Sequence, residues 1–147
     1  MSNKKIVVYT DGGSRGNPGP AALGVAFVDE RGQVTKAYGE PLGVRTNNEA
    51  EYEAIIFAFK KAKQLFGKDK TKTMHIEVRM DSELACRQLC HEYKVENENI
   101  IPLFLKVWNL MIDFGEVTFT HVPREKNKDA DRMVNEALDS GVQKSLL

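Results

Sequence analysis

The sequence is short of cysteine, with two in 147 residues. Cys86 and Cys90 lie four residues apart on a stretch with helical periodicity. That spacing suits no easy disulfide, and two thiols alone make a poor zinc site. A disulfide-stapled scaffold is therefore excluded, and a reduced, partly buried pair is expected. Net charge is also missing, because 21 basic residues balance 21 acidic ones. No global basic field advertises a polyanion. No apolar run approaches the roughly 18 residues of a membrane span, and no signal peptide is visible. A soluble, cytoplasmic protein with no membrane partner is expected. Repeats, linkers and low-complexity segments are absent. The chain reads as one domain with a real core, placed over residues 1–140. A short tail over 141–147 would follow the helix-stopping Gly141.

Hydrophobic periodicity gives the elements. Strands are expected over 4–11, 22–29, 33–41, 74–80 and 116–121, and helices over 48–66, 82–92, 100–113 and 128–139. Asp29-Glu30-Arg31-Gly32 reads as a hairpin turn. Three antiparallel strands followed by α-β units imply an α/β fold: a mixed sheet with helices on both faces.

Four acids stand out in that frame. Asp11 ends the apolar run Ile6-Val7-Val8-Tyr9-Thr10, just before a dense cluster of turn residues. Ligands of open α/β sheets bind outside such strand ends, although an aspartate there equally caps a turn. Asp81 follows the alternating His75-Ile76-Glu77-Val78-Arg79-Met80, where Asp81 or Ser82 also makes an N-cap. Glu51 lies four residues before Ile55 and shares its apolar stripe with Ala58, Phe59, Ala62, Leu65 and Phe66, whereas Glu49 and Glu53 turn to water. Asp131 shares a face with Val134 and Leu138. Carboxylates among apolar side chains are costly unless a cation joins them. A pair of hard divalent cations, and metal-assisted phosphodiester cleavage, would account for all four. His121 ends a strand before the loop Val122-Pro123-Arg124-Glu125-Lys126-Asn127. A lone loop histidine is ordinarily a surface residue, but beside carboxylates it suits proton transfer.

Four motifs carry a resemblance. Asp11-Gly12-Gly13-Ser14-Arg15-Gly16-Asn17-Pro18-Gly19-Pro20, Thr46-Asn47-Asn48-Glu49-Ala50-Glu51, Met80-Asp81-Ser82, and His121 with Asn127 and Asp131 resemble the motifs of type 1 ribonuclease H, in order and over about residues 4–140. The resemblance implies a ribonuclease H-like, five-stranded sheet of order 3-2-1-4-5 with strands 1–3 antiparallel. It implies a metal-binding tetrad of Asp11, Glu51, Asp81 and Asp131, with His121 assisting proton transfer or product departure. Substrate contacts would come from Gly12, Gly13, Asn17, Thr46, Asn47, Asn48, Ser82 and Asn127. Two Mg²⁺ ions per site with substrate, roughly 4 Å apart, are implied, with Mn²⁺ as a substitute. The activity implied is endonucleolytic hydrolysis of the RNA strand of RNA/DNA hybrids, by a monomer, giving 5′-phosphate and 3′-hydroxyl ends.

The sequence departs from better-known bacterial members in lacking a basic insertion after the third motif. Gln88 to Asn99 runs straight into the next helix, a pattern similar to the archaeal-type branch. Arg45 is one residue nearer Thr46 than the usual phosphate-pocket arginine, and Glu83 stands where many members have glutamine. Local cations remain in Lys60, Lys61, Lys63, Lys68, Lys70 and Lys72, and in Arg124, Lys126 and Lys128. The first set reads as a solvated face, and the second as the better phosphate contact. Rival readings are a same-fold nuclease acting on double-stranded RNA or DNA junctions, and a non-catalytic binding module. The second rival requires a lost acid, and all four are present.

Overall fold

Alternation of β-branched and aromatic residues with smaller ones produces the sheet. The computed structural model describes the backbone of residues 4–146, and side chains through residue 140. Strands β1 (Lys5–Ser14), β2 (Gly19–Val28) and β3 (Val34–Arg45) form an antiparallel meander. Strands β4 (His75–Met80) and β5 (Glu116–His121) add in parallel on the other side of β1, giving the expected order β3-β2-β1-β4-β5.

Each strand sends alternate side chains to opposite faces. Ile6 and Val8, Leu23, Val25 and Phe27, and Ile76, Val78 and Met80 build the main core. Helix α1 (Asn47–Phe66) covers it with Tyr52, Ile55, Phe59 and Ala62. A fully buried side chain the size of Ile55 or Phe59 contributes about 1.5–3 kcal/mol. Helices α3 (Glu83–Leu89) and α4 (Ile101–Met111) complete that layer, with the single turn α2 (Lys68–Thr71) between α1 and β4. On the opposite face α5 (Lys128–Leu146) lies across β2 and β3. Ala22 meets Val134, Ala137 and Leu138 there in a second cluster. No described helix is long and apolar enough to cross a membrane.

Several boundaries differ from the sequence reading. Gly12, Gly13 and Ser14, read as turn, continue β1 against Leu23, Ala22 and Ala21. Leu65 and Phe66, placed on the buried stripe, are exposed because α1 has run past the core by its last turn. The α2 turn was not anticipated. Helix α5 passes through Gly141 to Leu146, so residues 141–146 are not a tail after a stop. A glycine weakens a helix by about 1 kcal/mol relative to alanine but does not by itself end one. Leu147 lies outside the described residues.

The sheet forks where the site lies. Parallel pairing of β1 with β4 ends at Thr10 and Met80. Beyond that point β1 follows β2 alone for four more residues. Asp11 and Asp81 are the first residues past the fork, Asp11 still within β1 and Asp81 just beyond the end of β4. No helix stands between Leu89 and Ile101 among the described residues, in keeping with the expected absence of an insertion.

Candidate active site

Asp11, Glu51 and Asp81 each bring a carboxylate oxygen to a common place, all within 4.8 Å of one another. Local chemistry explains why these acids, and not their neighbours, are left for it. At the start of α1, Thr46 Oγ1 accepts from the Glu49 amide at 3.2 Å. The Glu49 carboxylate in turn accepts from the Thr46 amide at 2.8 Å. This capping box satisfies two of the free amides of the first turn and consumes Glu49. Glu53 lies 3.8 Å from Arg45. At the start of α3, Ser82 Oγ accepts from the Ala85 amide at 3.2 Å. Ser82 is the N-cap, which leaves Asp81 free. Gly12 lets the strand and helix touch. A Cβ on it would fall inside the main chain of Ala50 and Glu51. Its smallness therefore seats Glu51 over Asp11, where the sequence reading assigned it to substrate approach.

The site's electrostatics follow from burial and like charge. Asp11 and Glu51 are each 7% exposed. Burial, then the charges of Asp81 and Asp131, push the Asp11 carboxyl up to about 8. Burial, then Asp11 and Asp81, hold Glu51 well above the usual carboxylate range. Glu51 Oε2 is buried with no hydrogen-bond partner. An orphaned buried oxygen among clustered carboxylates is what a hard cation would satisfy. The donor set, oxygen only, fits such an ion.

Asp131 stands differently from expectation. It is exposed, on the first turn of α5, where the helix overhangs the cleft. It raises the Asp11 pKa yet stays outside the three-carboxylate group. Asn135, one turn on, donates to its main-chain oxygen at 3.1 Å. Asn135 also lines the cleft, and its i+4 spacing from Asp131 was the available signal. Helix α5 reaches this position because the Ala130 carbonyl rests against Gly24 of β2, where no Cβ would fit.

The cleft has a volume of about 460 Å³, and its walls include Gly12, Gly13, Asn47, Asn48, Ser82 and Arg124. The remaining expected residues sort unevenly. His121 is exposed, with Nε2 3.3 Å from the main-chain oxygen of Asp81. Asn17 Oδ1 accepts from the Asn47 amide at 3.0 Å, and Asn47 Oδ1 from the Ser14 amide at 2.9 Å. These bonds lock the β1–β2 turn to α1. Asn48 Oδ1 is buried without a partner. Asn127, expected against substrate, has no exposed surface. Its amide donates to the Thr10 carbonyl and, at 3.3 Å, to Asp81 Oδ2. It braces the site from beneath. Arg45 donates to the Val44 carbonyl and does not line the cleft.

The strand order and the carboxylates at its fork define a class: a domain with the ribonuclease H-like fold. Comparison with known proteins gives the family. A family model described as reverse transcriptase-like matches residues 9–137. The chain is 39% identical over 135 residues to "Ribonuclease HI" of Halobacterium salinarum, covering 92% of this chain and 65% of that protein. A ribonuclease H1 isolated from compost, solved in complex with an RNA/DNA hybrid, superposes with a TM-score of 0.87 at 43% identity. The match covers 93% of this chain and 99% of that one. The N-terminal ribonuclease H domain of a Mycobacterium tuberculosis protein gives 0.85 at 33% identity, covering 97% and 99%. The chain belongs to the type 1 ribonuclease H family. It spans 65% of the curated archaeal relative and 37% of a bifunctional mycobacterial one.

Proposed function

We propose that this chain is an endoribonuclease that hydrolyses the RNA strand of RNA/DNA hybrids by two-metal-ion catalysis, leaving 5′-phosphate and 3′-hydroxyl ends. The observation that carries the reading is the convergence of Asp11, Glu51 and Asp81 at the sheet fork, in a family with a member solved on a hybrid. Asp131, on the cleft rim, completes the set. Oxygen donors suit Mg²⁺, with Mn²⁺ as a substitute, over zinc. When bound, such ions supply Lewis-acid activation of the attacking water and of the leaving 3′ oxygen.

The chain's own groups do the rest. Asp11 and Glu51, held by β1 and the capped α1, keep their carboxylates converged without substrate. His121, exposed and 3.3 Å from the Asp81 main-chain oxygen, is the group we assign to move a proton to or from solvent. RNA is told from DNA by its 2′-hydroxyl. The Asn48 side-chain amide and the Gly13 backbone, both on the cleft wall, are suited to read it. Asn17 and Asn47 contribute their remaining amide hydrogens, while Thr46 and Ser82 act by capping the helices that carry the acids. The setting is the cytoplasm.

The test is incubation of the purified protein with labelled hybrid, duplex RNA, duplex DNA and a DNA junction, in Mg²⁺, Mn²⁺ or EDTA. The expected result is cleavage of the RNA strand of the hybrid, abolished by EDTA. Cleavage of another duplex or of the junction with the hybrid left intact would overturn the substrate assignment.

A further inference from the structure

Helix α5 is seated on the sheet by its own main chain. The Ala130 carbonyl lies against Gly24 of β2 and the Met133 carbonyl against Gly39 of β3, and a Cβ on either glycine would overlap those oxygens. Val134 is buried with Ala22 in the second cluster. The main chain on both sides of Asp131 is therefore clamped. What stays free at that position is the Asp131 side chain, which is exposed. An exposed side chain hops between rotamers on a fast timescale unless something holds it.

Asn135 is the group in reach of it. Its Nδ2 donates to the Asp131 main-chain oxygen at 3.1 Å and stands 3.4 Å from Asp131 Oδ2. Residues four apart share one helix face, and both of these line the cleft. The adjacent cation is engaged elsewhere, since Arg132 lies 3.8 Å from Asp129 and 3.9 Å from Glu136. Asp131 thus meets a neutral donor from its own helix, while the neighbouring positive charge serves other acids.

We propose that Asn135 is a positioning residue: it holds the Asp131 carboxylate at the cleft without neutralising it, and so sets how tightly the cleft takes a divalent cation. The inference rests on the reading of Asp131 as the fourth acid of the site. The chemistry asks for a neutral donor there. A lysine or arginine one turn on would pair with Asp131 and compete with the ion for its charge, and a carboxylate would repel it. An aliphatic side chain would leave it unheld. A side-chain amide orients a carboxylate through a hydrogen bond and leaves its charge in place. The site uses the same device elsewhere, where the Asn127 amide reaches Asp81 Oδ2 from beneath. Asn135 does for the exposed acid on the rim what Asn127 does for Asp81 from below.

Mn²⁺ binding to the full chain without nucleic acid, followed through the electron paramagnetic resonance signal of the free ion, tests this. Asn135→Ala should weaken binding by about tenfold, as losing the partner of a metal ligand does. Asp131→Asn should weaken it by at least as much. The double variant should bind no worse than Asp131→Asn alone, because the amide acts only through that carboxylate. Asn135→Lys, which keeps a donor but pairs with the carboxylate, should bind no better than Asn135→Ala. Position 135 is exposed and helical, so the circular dichroism spectra should be unchanged. On hybrid, the turnover deficit of Asn135→Ala should close at saturating Mn²⁺, with KM for the hybrid unchanged. Wild-type Mn²⁺ affinity in Asn135→Ala, in Asn135→Lys or in Asp131→Asn overturns the proposal. So do additive losses in the double variant, or a turnover deficit that saturating Mn²⁺ leaves open. A protein that shows the Mn²⁺ coupling but leaves the hybrid uncut would support this inference while sinking the substrate assignment.

Discussion

The side-chain amide of Asn127 donates to the main-chain carbonyl of Thr10 at 2.9 Å, 117 residues away in sequence. Thr10 is the last residue of β1 paired with β4, so its carbonyl sits at the fork. The same amide reaches Asp81 Oδ2 at 3.3 Å. One buried side chain thus ties the start of α5 to both strands that carry carboxylates.

Asn127→Ala should therefore damage two properties at once. The buried Thr10 carbonyl would lose its partner, at a cost of about 1–3 kcal/mol. Asp81 would lose its orientation, slowing turnover roughly tenfold or more with little change in KM. Asn127→Asp is the discriminating variant, because it keeps the volume but adds a carboxylate facing Asp81. Denaturant unfolding and steady-state kinetics measure both effects. An Asn127→Ala protein with normal stability and turnover would remove the brace from the account.

The three glutamates of α1 separate cleanly. Glu51→Gln should reduce turnover by about a hundredfold or more while the protein stays folded, since it removes a charge from the convergent group. Glu49 serves the capping box, which accepts glutamine as readily. Glu49→Gln should be nearly silent, and Glu49→Ala should cost about 0.5–1 kcal/mol of stability with turnover unchanged. Glu53→Gln should be mild in both. Rates and melting curves for the four variants decide it, and a dead Glu53→Gln would mean that the helix phase is misassigned.

Much of this was readable from residue spacing, and the failures share a cause. Period-two and period-3.6 patterns place every strand, and the phase of α1 singles out Glu51, because one helix stripe and one strand face must be buried. The pattern cannot say what lies beyond the neighbouring element. Asp131 shares its stripe with Val134 and Leu138, yet its turn overhangs the cleft and it is exposed. Leu65 and Phe66 fit the stripe of α1 past the point where the core ends. Gly12 and Gly24 matter through contacts with Ala50 and Ala130, which no local window contains. Asn127, which the motif resemblance sets against substrate, is instead buried and donates to the Thr10 carbonyl, 117 residues away. The motif resemblance supplied the strand order and the tetrad, which periodicity alone did not.

Two buried acids should give the ion-free protein opposite responses to pH. The Asp11 carboxyl is raised to about 8 by burial and its acidic neighbours. Its contribution is full below the ordinary carboxylate range and is lost as pH climbs through about 8. For Glu77 of β4, burial pushes up, but hydrogen bonds from Arg79, Lys5 and Thr120 outweigh it and hold the carboxyl at about 2. Its contribution is present above about 4.5 and is lost as pH falls through 2. In EDTA the melting temperature should fall from pH 6 to pH 9, and Asp11→Asn should flatten that slope. Glu77→Gln should lower stability at neutral pH and leave the alkaline slope alone. An ion-free melting temperature that does not fall between pH 6 and pH 9 would refute the shift assigned to Asp11.

The cations near the cleft are unequal, and salt should expose the difference. Arg124 lines the cleft, whereas Lys126 and Lys128 are exposed outside its walls. Arg15 also lines it but is held by Asp139 at 2.6 Å. With no net charge and no basic insertion, few counterions are released on binding, so affinity for a hybrid should depend weakly on salt. Each lost phosphate contact lowers the slope of log affinity against log salt by about one. Arg124→Ala should show that loss in full, and Lys126→Ala and Lys128→Ala should show a fraction of it. Asp139→Asn should steepen the slope by freeing Arg15 for phosphate. Binding is measured across a salt series with Ca²⁺ in place of Mg²⁺ to suppress cleavage. A steep slope untouched by Arg124→Ala would move the phosphate contacts to another basic surface, with the lysines from Lys60 to Lys72 next in line for substitution.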